Sequence, residues 1–235
     1  MRAAVNRPLE LAHGPRGGWW LAGWASRRIM AGVTDRTMTV EALLGRLPAG
    51  TGTVSAEQVH GASLAVIERL SGTALIPGCD ALITRTPGIA LLIRTADCLP
   101  VYFADPDRGV VGLAHAGWRG LAAGLLPRVV AAFARAAGTP PEALRVAIGP
   151  SIRADCYTVG PEFQGRFGRF VRPAGSGWTC DLTGVAAHQL AGCGVRTSRI
   201  ADCGWCTSCE TDRWFSLRKE GPSTGRLVSV IVLKP

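Results

Sequence analysis

A succession of short apolar runs limits the folds open to this chain more than any other feature. From about residue 53 onward, aliphatic and β-branched stretches of strand length are separated by Gly, Pro and Asp. Runs of this kind predict buried strands joined by turns. The predicted strands cover 53–59, 63–69, 80–85, 89–95, 100–104, 109–115, 145–149 and 226–233.

Helical stretches are interspersed with these strands. The predicted helices cover 118–137, 161–171 and 181–192. Asp181 stands where the N-cap of the last helix belongs, and Pro127 should kink the first helix or mark its true start. Sheets at the centre with helices outside them predict an α+β fold. We expect one domain over residues 1–235, in which residues 1–50 show little clean periodicity.

The composition limits the compartment and the partners. With 47% hydrophobic and 18% charged residues, the chain is globular rather than disordered. The net charge of +9 attracts anions in general, but the basic residues are scattered, so we expect a solvated surface and no nucleic-acid partner. The apolar runs are too short to span a bilayer, and no signal peptide is recognised. A cytoplasmic location with mostly reduced cysteines is therefore expected.

The segment HAGWRG, residues 115–120, joins a predicted strand to a predicted helix. Gly117 and Gly120 allow another backbone to approach closely, and N–H groups at a helix start attract anions. Arg119 can add a bidentate contact to a phosphate or a carboxylate. The alternative is a tight structural turn in which Trp118 packs into the core and Arg119 is solvated.

Three residues at predicted strand ends carry side chains that suit chemistry. His60 and His115 each end an apolar strand and precede a glycine, and Cys98 also ends a strand. His13 and His188 are interpreted as a surface residue and a helix residue. A thiolate beside an imidazole can be a nucleophile with its base, whereas a thiolate with two imidazoles can bind zinc and leave one position open. The spacing leaves both options open, together with ordinary core or rim positions.

A second group of cysteines has the spacing Cys203-x2-Cys206-x2-Cys209. This spacing is similar to part of an iron–sulfur site or a zinc knuckle. A fourth ligand would have to come from a distant residue such as Cys193 or Cys180. Reduced thiols in a loop are the favoured interpretation, because no second CxxC pair is present.

Several motifs together resemble one known family. They are QVHG (58–61), DALIT (80–84), RTADCLPVYF (94–103), VGLAHAGWRG (111–120), IGPSI (148–152), CYTVG (156–160) and FSLRKEGPSTGRLVSVIVL (215–233). This set resembles the laccase-domain, or multicopper polyphenol oxidase, family, whose members include zinc-containing purine nucleoside phosphorylases with adenosine deaminase side activity. Some bacterial members are linked to peptidoglycan editing. The resemblance begins near residue 54, and residues 1–50 diverge from the family pattern.

The resemblance implies a fold and a set of roles. The implied fold is a four-layer α/β/β/α sandwich with mixed sheets. The implied zinc ligands are His60, Cys98 and His115. Phosphate would be bound by Arg119 and by the turn that contains Gly117, Asp97 would move protons or orient a ligand, and Gln58 would hold the substrate. The expected partners are a small nucleoside and phosphate, with no nucleic acid and no membrane.

Three other functions stay open at this point. The first is a metal-free hydrolase acting on a cell-wall precursor, with Cys98 as nucleophile and His115 as base. The second is a copper oxidase, although four histidines are few for a multicopper centre. The third is a relative without catalysis that only binds a nucleotide or a cell-wall precursor.

Overall fold

The computed structural model describes residues 7–14, 17–24 and 28–235, which form β-strands connected by short helices. The strands are β1 (Arg7–Pro8), β2 (Leu11–His13), β3 (Trp19–Leu21), β4 (Ile29–Val33), β5 (Gly52–Ala56), β6 (Leu64–Ile67), β7 (Thr73–Ile76), β8 (Ala81–Thr84), β9 (Ile89–Thr95), β10 (Leu99–Asp105), β11 (Val110–Ala116), β12 (Arg145–Ile148), β13 (Thr158–Val159), β14 (Val171–Ala174), β15 (Gly177–Cys180), β16 (Ile200–Asp202) and β17 (Leu227–Leu233). The α-helices are α1 (Val40–Leu44), α2 (Trp118–Ala122), α3 (Leu125–Ala137), α4 (Phe163–Phe167), α5 (Leu182–Gly192) and α6 (Leu217–Glu220). Within the described ranges no helix is long and apolar enough to cross a membrane.

Two seven-stranded sheets form the centre of the structure. The first sheet has the order β1-β16-β12-β10-β11-β8-β6, and the second has the order β2-β3-β4-β17-β9-β5-β7. Both sheets mix parallel and antiparallel pairs. A small antiparallel sheet, β13-β15-β14, accompanies them. Strands β10 and β11 form an antiparallel hairpin with Pro100 opposite His115, so Cys98 and His115 lie at the same end of two neighbouring strands.

Alternating side chains assign each sheet face to a layer, because successive residues of a strand point to opposite faces. In β10, Phe103 faces the helices, and its ring centroid lies 5.8 Å from that of Phe133 in α3. The neighbouring Tyr102 packs between the two sheets. In β9, Leu91 packs between the sheets, whereas Leu92 faces outward toward α1. The order is helices, first sheet, second sheet, helix, which confirms the predicted α/β/β/α sandwich.

The helix predicted over 118–137 was wrong in one respect, since it is two helices. Gly124 separates α2 from α3 with φ +77°, a left-handed conformation that glycine adopts without steric cost. Pro127 lies in the first turn of α3, where its missing N–H is not needed, so it marks the true start of that helix. The Asp181 N-cap is confirmed, because its carboxylate accepts from the Gly184 N–H at 2.8 Å.

Other predicted elements were too long, among them one helix and one strand next to the site. The helix predicted over 161–171 is α4 alone, which ends at Gly168 with φ +50° and is followed by a 3-10 turn. The strand predicted over 53–59 ends at Ala56, because Gln58 has a positive φ of 68° and turns the chain toward the site described next.

Candidate active site

His60, Cys98 and His115 meet where the chain crosses between the two large sheets. His60 follows β5 and precedes β6, Cys98 connects β9 to β10, and His115 lies near the end of β11. One ligand atom of each residue lies within 4.8 Å of the others. The two imidazole rings meet edge to face with centroids 4.8 Å apart. The three residues therefore form one constellation that could hold a metal ion.

Asp80 is the buried anchor of this constellation. Its Oδ1 accepts hydrogen bonds from His115 Nδ1 at 2.9 Å and from the His60 backbone N–H at 2.9 Å, and its Oδ2 accepts from the Gly61 N–H at 2.7 Å. With Nδ1 directed at a carboxylate, His115 presents Nε2 to a ligand, which is the usual arrangement behind a metal-bound histidine. Burial raises the pKa of Asp80, but these hydrogen bonds outweigh burial, so the pKa is lowered.

Asp80 was missed by the sequence reasoning. It begins the DALIT motif and precedes the four buried residues of β8, so it looked like an ordinary strand boundary. The available signal was a carboxylate directly before a fully buried run, because a buried charge requires partners.

The Cys98 thiol and the His115 imidazole shift each other's protonation. Burial raises the pKa of Cys98, but hydrogen bonds from His115 and His60 outweigh it and bring that pKa down to about 7. Burial lowers the pKa of His115, but hydrogen bonds to Asp80 and Cys98 outweigh it and raise that pKa to about 9. Without a metal, the pair therefore favours a thiolate beside an imidazolium, and a bound cation would replace that positive charge.

Backbone strain is concentrated in the two loops that supply His60 and Cys98. Among the non-glycine residues that the structure describes, positive φ values occur at Gln58 (68°), His60 (61°) and Asp97 (86°). Such conformations cost roughly 1–3 kcal/mol each and persist where neighbouring groups hold them. The Gln58 amide is held in this way, since its Oε1 accepts from the Arg94 N–H at 2.7 Å and its Nε2 donates to the Arg94 carbonyl at 2.5 Å.

Asp97 is held by three donors. Its Oδ1 accepts from the hydroxyls of Thr207 at 2.6 Å and Ser216 at 2.8 Å, and its Oδ2 accepts from the Arg218 backbone N–H at 2.7 Å. The side chain is buried. The carboxylate thus ties the loop that carries Cys98 to two C-terminal segments.

Close contacts limit the space for a side chain at both glycines of HAGWRG. A Cβ at Gly117 would lie 3.1 Å from Cys98 Sγ and 3.2 Å from His60 Cδ2. A Cβ at Gly120 would lie 2.8 Å from the Gly61 carbonyl oxygen. Gly117 has an ordinary φ of −77°, so the limit there is contact and not conformation. The turn therefore packs its backbone directly against the histidine–cysteine group.

Arg119 and Trp118 form the outer part of the same turn. The exposed Arg119 guanidinium lies 4.6 Å from the centroid of the Trp118 ring. The guanidinium of Arg166, a residue of α4, lies 5.5 Å from the same ring. The Trp118 ring packs 5.1 Å from Phe163. Trp118 therefore packs against the protein, as expected for a tight structural turn, while the Arg119 guanidinium remains exposed to solvent. A shallow cavity of about 360 Å³ is lined by Trp118, Arg119, Ala122, Ala123 and Arg166.

Tyr157 and Arg218 also belong to this region, and the sequence reasoning did not single them out. Burial and the charge of Cys98 raise the pKa of Tyr157 to about 12, whereas Arg218 and Arg119 oppose that rise. The Arg218 guanidinium lies 4.8 Å from the Tyr157 ring and donates to the Thr158 carbonyl at 2.6 Å. Tyr157 therefore remains a neutral hydrogen-bond donor at neutral pH, close to the thiol and to two cations.

The second cysteine group has a different membership from the one expected. Its three sulfur atoms belong to Cys156, Cys206 and Cys209, within 4.8 Å of one another. Cys203 faces another way, and its Sγ accepts from Arg153 at 3.6 Å. Of the two suggested fourth ligands, Cys180 is buried in the core beside α5 and Cys193 packs against that core, so neither belongs to the group.

Comparisons with known proteins place the chain in a family. The family model described as multi-copper polyphenol oxidoreductase laccase matches residues 16–234. Purine nucleoside phosphorylase YlmD of Geobacillus stearothermophilus is 36% identical over 194 residues, covering 76% of this chain and 71% of that protein. Adenosine deaminase RL5, from an unknown prokaryotic organism, is 34% identical over 197 residues, covering 77% and 75%.

Solved structures agree with this assignment. The crystal structure of YlmD from Geobacillus stearothermophilus has a TM-score of 0.86 at 28% identity and covers 97% of this chain and 100% of that chain. The crystal structure of the Bacillus licheniformis hypothetical protein YfiH has a TM-score of 0.85 at 27% identity, with coverages of 95% and 99%. The chain therefore belongs to the multi-copper polyphenol oxidoreductase laccase family.

Proposed function

We propose that this protein is a zinc-dependent purine nucleoside phosphorylase with adenosine deaminase side activity. The observation that carries the proposal is the convergence of His60, Cys98 and His115 within 4.8 Å, with Asp80 bonded behind His115. The names of the relatives, purine nucleoside phosphorylase and adenosine deaminase, support a nucleoside as substrate.

The donor set fits zinc. Two imidazoles and one thiolate leave a fourth position for a small molecule, and the space beside Gly117 is kept free of a side chain. A multicopper centre needs more imidazoles than this chain offers, because His13 packs on Trp19 and His188 packs on Phe170, away from the group. Zinc, when bound, supplies a Lewis acid with an open coordination position.

The proposed reaction is phosphorolysis. An oxygen of phosphate attacks C1′ of the ribose, the C1′–N9 bond breaks, and its electron pair stays on the purine, which takes up a proton. Arg119 and Arg218 would bind the phosphate anion, because both are exposed cations near Tyr157. The neutral Tyr157 phenol would donate a hydrogen bond to the substrate. Gly117 would let the substrate approach the group without steric hindrance.

We propose positioning roles for the two other predicted site residues. The Asp97 carboxylate already accepts three hydrogen bonds, so it would orient the loop of Cys98 rather than carry protons. The Gln58 amide pairs with the Arg94 backbone, so it would hold the loop of His60 rather than the substrate.

We also propose that residues 1–235 act as one cytoplasmic domain. One apolar core is shared by both large sheets, and all eight cysteines are free thiols, as a reducing compartment would keep them. Its partners would be a nucleoside and phosphate rather than a nucleic acid or a membrane.

The reaction class is tested by product analysis with inosine and adenosine, with and without phosphate. The proposal expects hypoxanthine or adenine together with ribose 1-phosphate, formed only when phosphate is present. Cys98→Ser should lose this activity, and the matched control Cys193→Ser, at the C-terminus of α5, should keep it. Hydrolysis that is independent of phosphate and survives metal chelation would instead establish the cysteine hydrolase.

A further inference from the structure

A second group of thiols lies outside the histidine–cysteine site and has no role in the proposed reaction. It consists of Cys156, Cys206 and Cys209, whose Sγ atoms lie within 4.8 Å of one another. Cys156 Sγ and Cys209 Sγ are 3.1 Å apart. Three sulfur atoms therefore converge on one point from two distant parts of the chain.

The backbone fixes these thiols in place. Cys156 ends the 3-10 turn Ala154–Cys156, and Cys206 forms an isolated parallel bridge with Ser151. The bridge consists of hydrogen bonds from the Thr207 N–H to the Ser151 carbonyl at 3.2 Å and from the Ser151 N–H to the Trp205 carbonyl at 3.3 Å. The bridge joins the loop that carries Cys156 to the loop that carries Cys206 and Cys209, so the three thiols lie in neighbouring segments.

The donor set favours a metal ion over a disulfide. A disulfide would use two of the thiols and leave the third beside it, whereas a thiophilic cation uses all three. Cys206-x2-Cys209 with a distant third cysteine matches the ligand spacing of structural thiolate sites. Cys206 is buried and Cys209 is exposed, so solvent can reach one side of the group and supply a fourth ligand.

We propose that Cys156, Cys206 and Cys209 bind a second Zn²⁺ ion, with solvent as its fourth ligand, at a site that is separate from the histidine–cysteine group. Each thiol that ligates the ion releases its proton to solvent. The proposal does not rest on the proposed enzymatic function.

The site would clamp the loops that border the substrate region. Tyr157 directly follows Cys156, and Thr207 directly follows Cys206 and donates its hydroxyl to Asp97 at 2.6 Å. Asp97 in turn precedes Cys98. A bound ion would therefore fix two segments that hold residues of the candidate active site, without contributing to the reaction itself.

The test is the metal content of the full-length chain after equilibration with Zn²⁺ and removal of unbound metal. The variants are Cys98→Ser, Cys209→Ser and the double variant. Cys203→Ser is the matched control, because Cys203 belongs to the same run but lies outside the group. Cys209 is exposed, so its replacement leaves the core intact, and circular dichroism verifies folding. Co²⁺ loading of Cys98→Ser gives a second readout through thiolate-to-cobalt charge-transfer absorption.

The proposal predicts two zinc ions per wild-type chain, one in each single variant of the two groups, none in the double variant and two in Cys203→Ser. It also predicts a cobalt–thiolate absorption band in the Cys98→Ser variant. This band should be absent from the Cys98→Ser/Cys209→Ser double variant. One zinc per wild-type chain and none in Cys98→Ser would overturn it. So would a Cys156–Cys209 disulfide in a peptide map of the protein purified under reducing conditions, or loss of the second ion in Cys203→Ser with retention in Cys209→Ser.

Discussion

Asp80→Asn tests whether the buried carboxylate prepares the metal site. The carboxylate accepts three hydrogen bonds, two on Oδ1 and one on Oδ2. An asparagine offers one oxygen and one NH₂ group in the same volume. If its oxygen faces Gly61, its NH₂ donates to His115 Nδ1, and the imidazole proton moves to Nε2, the atom needed for the metal. If its oxygen faces His115 instead, its NH₂ faces the Gly61 N–H, and two hydrogen-bond donors then point at each other.

Either orientation should lower both the free energy of unfolding and the affinity for the metal. One part-buried backbone N–H, of His60 or of Gly61, loses its acceptor, which lowers the free energy of unfolding by about 0.5–1.5 kcal/mol. Either orientation also replaces the carboxylate behind a metal-binding histidine by a neutral amide, and mutation of such a partner weakens metal affinity by roughly 10–100-fold. A tenfold change corresponds to about 1.4 kcal/mol, so the metal affinity should fall by about 1.4–2.8 kcal/mol.

The assay is zinc titration of the metal-free protein against a competing chelator, together with urea unfolding. Measuring in the Cys209→Ser background restricts the titration to the histidine–cysteine group. Asp107→Asn is the matched control, since Asp107 is exposed in the β10–β11 turn and should change neither quantity. A folded Asp80→Asn protein with the wild-type zinc dissociation constant would refute the reasoning.

Three further predictions follow from the same geometry. Gly117→Ala should fold but bind zinc at least about tenfold more weakly, because the new Cβ would press on Cys98 Sγ and His60. An unchanged zinc affinity in the chelator titration would contradict this prediction. In the metal-free protein, alkylation of Cys98 by iodoacetamide should rise with pH around a midpoint near 7, because only the thiolate reacts; a midpoint near the ordinary thiol value of 9 in mass-spectrometric time courses would contradict the paired thiolate. Asp97→Asn should lower kcat by roughly 10–100-fold, the size of effect expected from misplacing a reacting group, without moving the pH profile, whereas a proton carrier would shift the profile and lose roughly 10²–10⁴-fold.

The sheets were predictable where one apolar run forms one strand. Residues 89–95 match β9 at both ends, because every position but Arg94 is buried and the flanking residues turn the chain. Strands β2 and β3 were not predicted, since three-residue segments are too short to show periodicity and owe their place to pairing with each other and with β4. The break within the predicted helix 118–137 was not predicted, because one left-handed glycine does not disturb the apolar spacing around it.

The site was predictable only in part, for a different reason. The family motifs identified His60, Cys98 and His115 as one group, and the structure brings them together. The partner of His115 lies 35 residues earlier in the chain, so local sequence around either residue does not reveal the pair. The second thiol group likewise depends on a bridge between distant loops, which is why the spacing of the 203–209 run suggested the wrong third member.

The central claim is that the histidine–cysteine group holds the metal on which nucleoside phosphorolysis depends. The most direct measurement is the rate of phosphate-dependent purine release from inosine and adenosine, while the metal-free wild-type protein is titrated with zinc. The account predicts activity that rises with zinc until the histidine–cysteine group is filled, and no activity at any zinc concentration in the Cys98→Ser variant. Full activity in the metal-free protein, or activity that survives Cys98→Ser, would contradict it.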